Sequence, residues 1–382
     1  MDYQKALEVL RIFKNHGYEA YIVGGFLRDR LLGISSNDID ITTNAKPDEI
    51  KMLFEYVAVG ERFGTIIIKY GGCFFETTTF RSEGEYTDSR HPLDVKYVDD
   101  IRLDLERRDF SVNALIMDYE EKLYDYHNGI SDLNNKLVKC IGDPIKRFNE
   151  DALRVLRAFS LVSKKGFTIE YSTFEAIKTS NRGLLNISSE RIDAELKKIF
   201  DGDNKLEAIS LIVKTNTHLY LKDLSEGFVY IINNNIDSSL QEFYALSFYL
   251  NGKISDFYHF SRKDREIIDK SIKSLKNENI LSKRWMFDNG LEISKLACFL
   301  YNTFIEKLDY DISIKYQELK IKSLKDLEIN GYDLLNLGYQ EKEIKEKFDI
   351  IIDKILDGSL NNCYNDIVKY LKGWWMWNLM QL

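Results

Sequence analysis

The stretch Val23–Thr43, which reads VGGFLRDRLLGISSNDIDITT, constrains this chain more than any other. It opens at the end of a β-rich apolar segment, and Gly24 and Gly25 then allow a positive φ or a close backbone approach. Phe26–Leu32 has the composition of a short helix, which Gly33 would end. The sequence therefore predicts a strand, a tight turn, a short helix and a second strand in quick succession.

An alternating acidic segment follows, because Asp38 and Asp40 are separated by Ile39 in a predicted strand, Asp38–Thr42. Residues two apart on a strand share a face, so both carboxylates would point to one side. Neighbouring carboxylates repel one another unless a cation joins them, and hard oxygen ligands suit Mg²⁺. In a chain with 61 acidic residues, a lone Asp-x-Asp pair is more simply a solvated edge. The metal interpretation depends on the glycine turn upstream.

The glycine turn adds an anion site beside the acidic pair. A helix that begins after glycines presents unpaired N–H groups, which favour phosphate. Arg28 in the first turn adds a planar guanidinium that binds phosphate oxygens. Gly24, Gly25 and Arg28 are therefore predicted to hold a triphosphate next to metal ligands.

These residues together resemble the signature of the polymerase-β-like nucleotidyltransferases, in the branch that contains bacterial tRNA nucleotidyltransferases and poly(A) polymerases. Within that branch, the chain resembles the class II CCA-adding enzymes. The pattern GGxVRDxLLGxxxxDxDxxT is matched except at Leu27. The resemblance covers essentially the whole chain, densely to about residue 200. Further matching segments are Glu76–Arg81 (ETTTFR), Arg107–Ala114 (RRDFSVNA), Gly142–Ala158 (GDPIKRFNEDALRVLRA), Glu190-Arg191 with Glu195, and Ile329–Leu335 (INGYDLL).

The distribution of prolines and of hydrophobic residues predicts an α+β fold with a helical remainder. The three prolines lie at positions 47, 92 and 144, so everything after residue 144 is compatible with almost continuous helix. Periodicity before that point indicates helices at Tyr3–His16 and Asp48–Glu55, and strands at Tyr21–Val23, Asp38–Thr42, Thr65–Tyr70, Cys73–Phe80 and Asp94–Tyr97.

We accordingly predict a polymerase-β-like nucleotidyltransferase head with a small sheet, followed by an all-α neck, body and tail. The expected boundaries are 1–140 for the catalytic head, 141–205 for a neck that recognises the base, 206–300 for the body and 301–382 for a tail that binds tRNA. The resemblance implies the activity as well, namely addition of C and A to the 3′ end of tRNA from CTP and ATP. It also implies two Mg²⁺ ions held by Asp38 and Asp40.

Glu76 lies in the middle of a predicted strand and is a candidate third catalytic carboxylate. Nucleotidyl transfer with two metal ions benefits from a group that accepts a proton or steadies a metal. The alternative is a cross-strand partner at a sheet edge, which the sequence does not exclude.

The Arg-Arg-Asp run at 107–109 is a second nucleotide-binding candidate. By the resemblance, Arg108 contacts nucleotide phosphate or base, and Asp109 recognises the ribose. Asn113 lies one turn further along and belongs to the same group. Taken alone, such a run is more often a surface ion pair.

Asp151 and Arg154 carry the hypothesis for nucleotide choice, and Arg157 lies one further turn along the same predicted helix. An Asp accepts from the amino group of cytosine or adenine, while an Arg donates to the adjacent ring nitrogen. Uracil and guanine reverse this pattern and would leave polar groups unpaired. On spacing alone an ion pair between residues i and i+3 is the simpler interpretation, but the resemblance favours a protein template. The resemblance also implies an Arg at position 160, where this chain has Ser160.

A polar segment at 81–92 (RSEGEYTDSRHP) is predicted to be a loop. In the resembling enzymes, a segment of this kind accompanies addition of the terminal A. The chain departs from their pattern at His91. The candidate residues of this flexible loop are Arg81, Glu83, Tyr86, Asp88 and Arg90.

Composition predicts a cytoplasmic protein without a membrane span, because no long uncharged apolar run or signal-peptide core is present. The four cysteines are widely spaced, which favours neither zinc nor disulfides. A net charge of −8 is unusual for an RNA-binding protein, so tRNA would need local basic clusters. Each cluster alone is more simply a solvated helix face: Lys164-Lys165, Lys197-Lys198, Arg262-Lys263-Arg265 and Lys320-Lys322-Lys325.

Three functions stay open from the sequence, apart from full CCA addition. They are addition of A alone, poly(A) synthesis, and an RNA-binding protein with an inactive head. The oligomeric state is not determined by any residue pattern.

Overall fold

The computed structural model describes residues 2–58, 64–83 and 95–379. The chain divides into two compact units, one formed by 1–240 with 255–259 and the other by 241–254 with 260–382. Within the described residues, no helix is both long enough and apolar enough to cross a bilayer. All four cysteines are free thiols, and those at 140 and 298 are buried.

The first unit contains a mixed sheet with the strand order β3-β4-β5-β2-β1-β8-β9. A short parallel pair, β10 with β11, and an antiparallel pair, β6 with β7, stand apart from it. The strands are β1 (Ala20–Val23), β2 (Asp40–Thr43), β3 (Glu55–Val57), β4 (Thr65–Tyr70), β5 (Cys73–Thr79), β6 (Arg81–Glu83), β7 (Val95–Tyr97), β8 (Ile116–Met117), β9 (Leu123–Tyr124), β10 (Leu137–Val138) and β11 (Thr168–Ile169).

Helices account for most of the rest of the first unit. They are α1 (Asp2–Asn15), α2 (Gly25–Leu31), α3 (Pro47–Leu53), α4 (Ile101–Glu106), α5 (Gly129–Asn134), α6 (Pro144–Glu150), α7 (Leu153–Lys165), α8 (Tyr171–Ser180), α9 (Ser189–Phe200), α10 (Lys205–Lys214) and α11 (Ser225–Asn234), with 3₁₀ turns at Ser111–Asn113, Asn181–Asn186 and Thr217–Tyr220.

The secondary-structure elements in the described residues of the second unit are all helices. Its helices are α12 (Leu240–Asn251), α13 (Arg262–Ser274), α14 (Lys283–Phe304), α15 (Ile312–Gln317), α16 (Gly331–Asn336), α17 (Glu341–Asp357) and α18 (Tyr364–Leu379), with a 3₁₀ turn at Leu324–Asp326. The segment INGYDLL forms the start of α16, where Asn330 caps the helix by accepting from the backbone N–H groups of Tyr332 and Asp333. The predicted α+β class with a helical remainder is confirmed.

The amphipathic pattern of α7 explains its position in the first unit. Leu156 and Phe159 are fully buried, as are Leu196 and Ile199 on α9, and the two helices pack on one another. This packing buries apolar stripes at helical spacing, which stabilises the pair through the hydrophobic effect.

Several predicted boundaries are wrong by a few residues, and two of the errors concern the site. Strand β2 begins at Asp40 rather than at Asp38, which lies exposed in the preceding loop. The helix predicted around Asp151 is interrupted, because Asp151 has extended backbone angles (φ −143°, ψ 101°) between α6 and α7. Glu55, predicted at the end of a helix, instead opens strand β3. The division into head, neck, body and tail stays a prediction.

Candidate active site

A cavity of about 350 Å³ in the first unit is lined by all of the predicted nucleotide-binding residues and by Asp40, but not by Asp38 or Glu76. Its polar lining holds six arginines against three aspartates, which makes it locally basic in a chain of net charge −8. An anionic ligand is therefore attracted to this cavity although the whole chain is acidic. The lining residues are Gly24, Gly25, Arg28, Asp40, Arg81, Arg107, Arg108, Asp109, Asn113, Asp151, Arg154 and Arg157.

Gly24 occupies a backbone conformation that only glycine adopts readily, with φ 83° and ψ −146°. A Cβ at this position would lie 3.3 Å from Asp40 Oδ2 and 3.8 Å from Arg108 Nη1. The turn between β1 and α2 thus brings bare backbone against the acidic strand. The predicted termination of α2 also holds, since Gly33 follows the helix with φ 74°.

Arg28 projects from α2 into the wall of the cavity and is held by two partners. Its Nε and Nη2 each lie 2.8 Å from Asp29 Oδ1, and its Nη1 donates to Asn113 Oδ1 at 2.6 Å. A guanidinium carries five N–H groups, so two remain for a ligand. The side chain is fixed in place while keeping capacity for phosphate oxygens.

Asp40 and Glu76 are direct neighbours, because β2 and β5 run parallel with these two residues in register. Burial raises the pKa of Asp40 to about 7, and the nearby charges of Asp38 and Glu76 act in the same direction. Arg108 acts in the opposite direction, but not strongly enough to restore an ordinary carboxylate pKa. The structure therefore concentrates negative charge at one point, at an electrostatic cost that a cation would remove.

The donor set at this point fits a divalent cation in part. Among the described residues, no group of three or more His, Cys, Asp or Glu side chains forms a preassembled metal cage. Mg²⁺ is usually held by one or two carboxylates, with water and substrate phosphate oxygens completing its shell. Two neighbouring carboxylates, of which Asp40 has a raised pKa, beside an arginine-lined cavity are consistent with that arrangement.

Asp104 organises the arginines from behind the cavity, and its side chain is completely buried. Its Oδ1 accepts from Arg107 Nε at 2.8 Å, and its Oδ2 lies 3.3 Å from Arg108 Nη2 and from Thr42 Oγ1. Burial alone would raise the pKa of Asp104, but the two arginines hold it below its ordinary value. Oδ1 also accepts from the backbone N–H of Arg81 at 3.3 Å, which ties β6 to the same carboxylate.

Asp109 is almost fully buried and lies between the sheet and α7. Its Oδ1 accepts from Asn113 Nδ2 at 3.1 Å and from the Phe110 N–H at 2.8 Å, and its Oδ2 lies 2.8 Å from Arg157 Nη2. Burial by itself would raise the pKa of Asp109, but Arg157 and these hydrogen bonds lower it. Asp109 is therefore ionised and rigidly held at the cavity wall.

Asp151 and Arg154 both line the cavity, but they do not pair with one another. Asp151 Oδ2 lies 2.8 Å from Arg191 Nη2 on α9. Arg154 Nη1 lies 3.0 Å from Glu150 Oε2, and its Nη2 donates to the carbonyl oxygen of Arg107 at 2.8 Å. The expected i,i+3 geometry on one helix is wrong, because the chain leaves the helix at Asp151.

Ser160 occupies the position at which the resemblance implies an arginine. Its hydroxyl donates to Glu195 Oε2 at 2.8 Å, and both residues are buried. Glu195 Oε1 pairs with Lys198 at 2.7 Å, and that lysine is about half exposed (51%). The Glu195 carboxylate is thus balanced by a lysine from its own helix, α9.

Of the predicted flexible loop, 81–92, the structure describes only residues 81–83. Arg81 and Glu83 belong to strand β6, which pairs antiparallel with β7, so the expectation of a loop beginning at Arg81 is wrong. Arg81 also lines the cavity. Tyr86, Asp88 and Arg90 lie outside the described residues, and so does His91.

Sequence reasoning missed the residues that hold the predicted ones in place. The i,i+3 and i,i+4 spacing of Asp104 to Arg107 and Arg108 was a usable signal. The pairing of Asp29 with Lys165 left no signal in the sequence, because 136 positions separate the two residues. Only the tertiary fold brings Lys165 Nζ within 3.0 Å of Asp29 Oδ1. The basic pair Lys164-Lys165 is also split, since Lys164 is exposed whereas Lys165 is only 12% exposed.

Known proteins resemble this chain over almost its whole length. Residues 20–139 match the family model described as Poly A polymerase head domain, and residues 236–371 match tRNA nucleotidyltransferase domain 2 putative. Residues 166–226 match a model described as a probable RNA and SrmB-binding site of polymerase A. The CCA-adding enzyme of Bacillus subtilis is 34% identical, over 96% of this chain and 97% of its own length. The chain belongs to the CCA-adding enzyme family.

Other CCA-adding enzymes give the same result. That of Staphylococcus haemolyticus is 33% identical over 97% of this chain and 98% of its own length. Among solved structures, the Bacillus stearothermophilus CCA-adding enzyme in complex with CTP superposes with a TM-score of 0.80 at 26% identity, covering 100% of this chain and 99% of that one. The protein is therefore a nucleotidyltransferase of a family that uses divalent metal.

Proposed function

We propose that this protein adds C and A nucleotides to the 3′ end of tRNA, using CTP and ATP and releasing pyrophosphate. The observation that carries the proposal is the juxtaposition of two in-register carboxylates, Asp40 and Glu76, with a cavity lined by six arginines. Carboxylates are metal ligands and arginines bind phosphate. Family membership supplies the acceptor, since the relatives are named CCA-adding enzymes.

The reaction is a displacement at phosphorus. The 3′-hydroxyl oxygen of the RNA bonds to the α-phosphorus of the nucleotide, and the bond from that phosphorus to the bridging oxygen breaks as pyrophosphate leaves. In this proposal Asp38 and Asp40 hold two Mg²⁺ ions, which would acidify the attacking hydroxyl and offset charge on the triphosphate. Glu76, beside Asp40, steadies this end or accepts the hydroxyl proton.

The arginine wall then performs binding and orientation. Arg28 and Arg108 hold phosphate oxygens, and the bare backbone of Gly24 and Gly25 allows the triphosphate to approach closely. Asp109 is ionised and fixed, so it accepts a hydrogen bond from the ribose. Catalysis on this account is positioning plus charge stabilisation, with no covalent intermediate on the enzyme.

Nucleotide choice is assigned to Asp151, Arg154 and Arg157 near the α6–α7 joint. Arg154 is engaged by Glu150 and by backbone carbonyl oxygens, so a base would have to exchange with these partners or use Asp151 with Arg157 instead. In this proposal Asp151 is the acceptor and an arginine of α7 is the donor toward the edge of cytosine or adenine. The acceptor and the donor do not share one helix, because Asp151 precedes α7.

Incorporation assays test the proposal directly. Purified protein is incubated with Mg²⁺, one labelled nucleotide at a time, and tRNA ending at the discriminator base, at C or at CC. We expect C addition to the first two acceptors and A addition to the third, and we place this activity in the cytoplasm. Addition of A alone to tRNA ending in CC would indicate an A-adding enzyme, long A tails would indicate poly(A) synthesis, and no incorporation would refute the assignment.

A further inference from the structure

A partly buried ion pair outside the cavity lining, Lys165 with Asp29, bears on how the cavity binds its ligand. Lys165 Nζ lies 3.0 Å from Asp29 Oδ1, and the two side chains are only 12% and 14% exposed. Neither residue lines the cavity. Their route to the ligand is through Arg28, which contacts the same carboxylate oxygen at 2.8 Å.

Three nitrogen atoms therefore converge on a single oxygen of Asp29. They are Nε and Nη2 of Arg28 and Nζ of Lys165. Without Lys165, Arg28 and Asp29 would form a neutral pair. With Lys165, the group of three carries one net positive charge, and Arg28 is its member at the cavity wall.

The same contacts link Lys165 to the other end of its own helix. Arg28 donates to Asn113, Asn113 donates to Asp109, and Asp109 pairs with Arg157. Lys165 and Arg157 are both on α7, about 12 Å apart along its axis at 1.5 Å per residue. Helix α7 is thus linked to the residues that line the cavity at two points, Arg157 and Lys165, by one continuous series of hydrogen bonds and ion pairs.

We propose that Lys165 is a positioning residue which, by neutralising Asp29, lets Arg28 present a net positive charge to the nucleotide triphosphate. This inference rests on the proposed function for the identity of the ligand. The physical reason is that a partly buried charge is poorly screened, so one unit of charge near a triphosphate changes affinity measurably.

The test compares CTP binding without RNA, in Mg²⁺ and constant salt, for wild type and Lys165→Gln, by calorimetry or equilibrium dialysis. Glutamine still donates a hydrogen bond to Asp29 but carries no charge. We expect CTP affinity to fall about fivefold, and CMP affinity to change less than about twofold because CMP bears fewer phosphate charges. Equal losses for CTP and CMP would mean that Lys165 only supports the fold, and would overturn the proposal.

Two control variants isolate the charge. Lys164→Gln removes the same charge from the exposed neighbouring position, and we expect CTP affinity within about 1.5-fold of wild type. Lys165→Arg keeps the charge and should restore CTP affinity to within about twofold. Unchanged CTP affinity in Lys165→Gln, or an equal loss in Lys164→Gln, would refute the specific role.

The double variant Asp29→Asn/Lys165→Gln gives the sharpest result. It restores the net charge of the group to that of wild type, and the amide oxygen of the introduced asparagine would still accept from Arg28. We expect CTP affinity to recover to within about twofold of wild type, whereas a double variant as weak as Lys165→Gln would overturn the charge argument. If Lys165→Gln does not fold, Asp29→Asn should bind CTP about fivefold more tightly than the double variant, and equal affinities would overturn the proposal.

The outcomes for the inference and for the proposed function are separable. Wild-type protein that binds CTP in the expected pattern but adds no nucleotide to RNA would refute only the function. Wild-type protein that adds C while Lys165→Gln binds CTP normally would refute only the inference. Failure of wild type to bind CTP at all would refute both.

Discussion

The two ends of the cavity are built in different ways. The carboxylate end is formed by Gly24, Arg28 and Asp40, which come from one short stretch of chain, and Glu76 lies beside Asp40 on the neighbouring strand without lining the cavity. The α7 end, formed by Asp109, Asp151, Arg154 and Arg157, is assembled from two segments that are not adjacent in sequence. Sequence proximity thus brings together most of the first end, although the distant Asn113 also fixes its Arg28, whereas tertiary packing brings together the second.

The difference shows in what holds each side chain. At the carboxylate end, the register of β2 and β5 places Asp40 beside Glu76 although two carboxylates repel one another. Burial and this neighbouring charge both raise the pKa of Asp40. At the α7 end, each charged group already has a partner of opposite sign, such as Arg191 for Asp151 and Glu150 for Arg154. We infer that the first end stores electrostatic cost for a cation to remove, while the second is neutralised in advance.

The largest expected effect comes from the carboxylate end. Asp40→Asn should reduce nucleotide incorporation at least about 10³-fold, because the proposed cation site would lose a charged ligand, while the protein still folds. The measurement is single-turnover incorporation of C into tRNA, with circular dichroism to check the fold. Asp48→Asn is the matched control, since the Asp48 side chain is 91% exposed and does not line the cavity. Retained incorporation in Asp40→Asn would remove the basis for the metal assignment.

The buried carboxylate of Asp104, which pairs with Arg107 and Arg108, should have the next largest effect. Asp104→Asn should lower the free energy of unfolding by about 3 kcal/mol, because Arg107 and Arg108 lose their buried counter-charge. Denaturant unfolding measures this change. Asp100→Asn, at the cap of α4, is the control, because asparagine caps a helix as well as aspartate does.

The same variant has a defined dependence on pH. The folded-state pKa of Asp104 is lowered, so its contribution to stability is present above its unfolded-state pKa of about 4 and is lost as pH falls through the folded value. The stability difference between wild type and Asp104→Asn should therefore shrink in acid. A difference that is constant with pH would mean that shape, rather than charge, accounts for the loss.

Base preference tests the α7 end. Asp151→Asn replaces an acceptor by a group that can also donate, so the preference for CTP over UTP should fall by about 10- to 100-fold if Asp151 reads the amino group. The measurement is the ratio of kcat/KM for the two nucleotides on one tRNA. Asp143→Asn, at the cap of α6, should leave that ratio unchanged. An equal fall in kcat/KM for both nucleotides in Asp151→Asn would indicate that the Asp151–Arg191 pair supports the fold rather than specificity.

The smallest expected effect is a pH dependence at the carboxylate end. With a pKa of about 7, Asp40 is half protonated at neutral pH in the metal-free protein. Protons then compete with a divalent cation, so affinity for a probe such as Mn²⁺ should fall about fivefold from pH 7 to pH 6. Titration at several pH values measures it, and proton release on binding should appear as a dependence on buffer ionisation enthalpy. A flat profile between about pH 6 and 8 would place the cation elsewhere.

Much of the carboxylate end was predictable because its geometry is local. Gly24, Gly25, Arg28 and Asp40 lie where the pattern puts them, and the cavity collects them. Even here, strand β2 begins two residues later than predicted. The residues before it already alternate, with Asp38 exposed and Ile39 buried. The partner strand β5 was predicted as a strand, but its register with β2 was not.

The α7 end was predictable in its members but not in their pairing. Asp109, Asp151, Arg154 and Arg157 all line the cavity, as expected. Their partners were not foreseen, because a break after α6 turns Asp151 toward α9, and a buried guanidinium takes the nearest acceptors whatever their position in sequence.

The sequence by itself determined the class of fold, the family and most of the residues that line the cavity, because glycine turns, alternating carboxylates and helical stripes act over a few residues. Only the tertiary structure decided which charges pair, as with Asp104 behind its two arginines and Lys165 on Asp29. The physical reason is that charge pairing in a buried site depends on distance in space and on exclusion of water. Neither the distance between two side chains nor their exclusion from water can be derived from the spacing of residues along the chain.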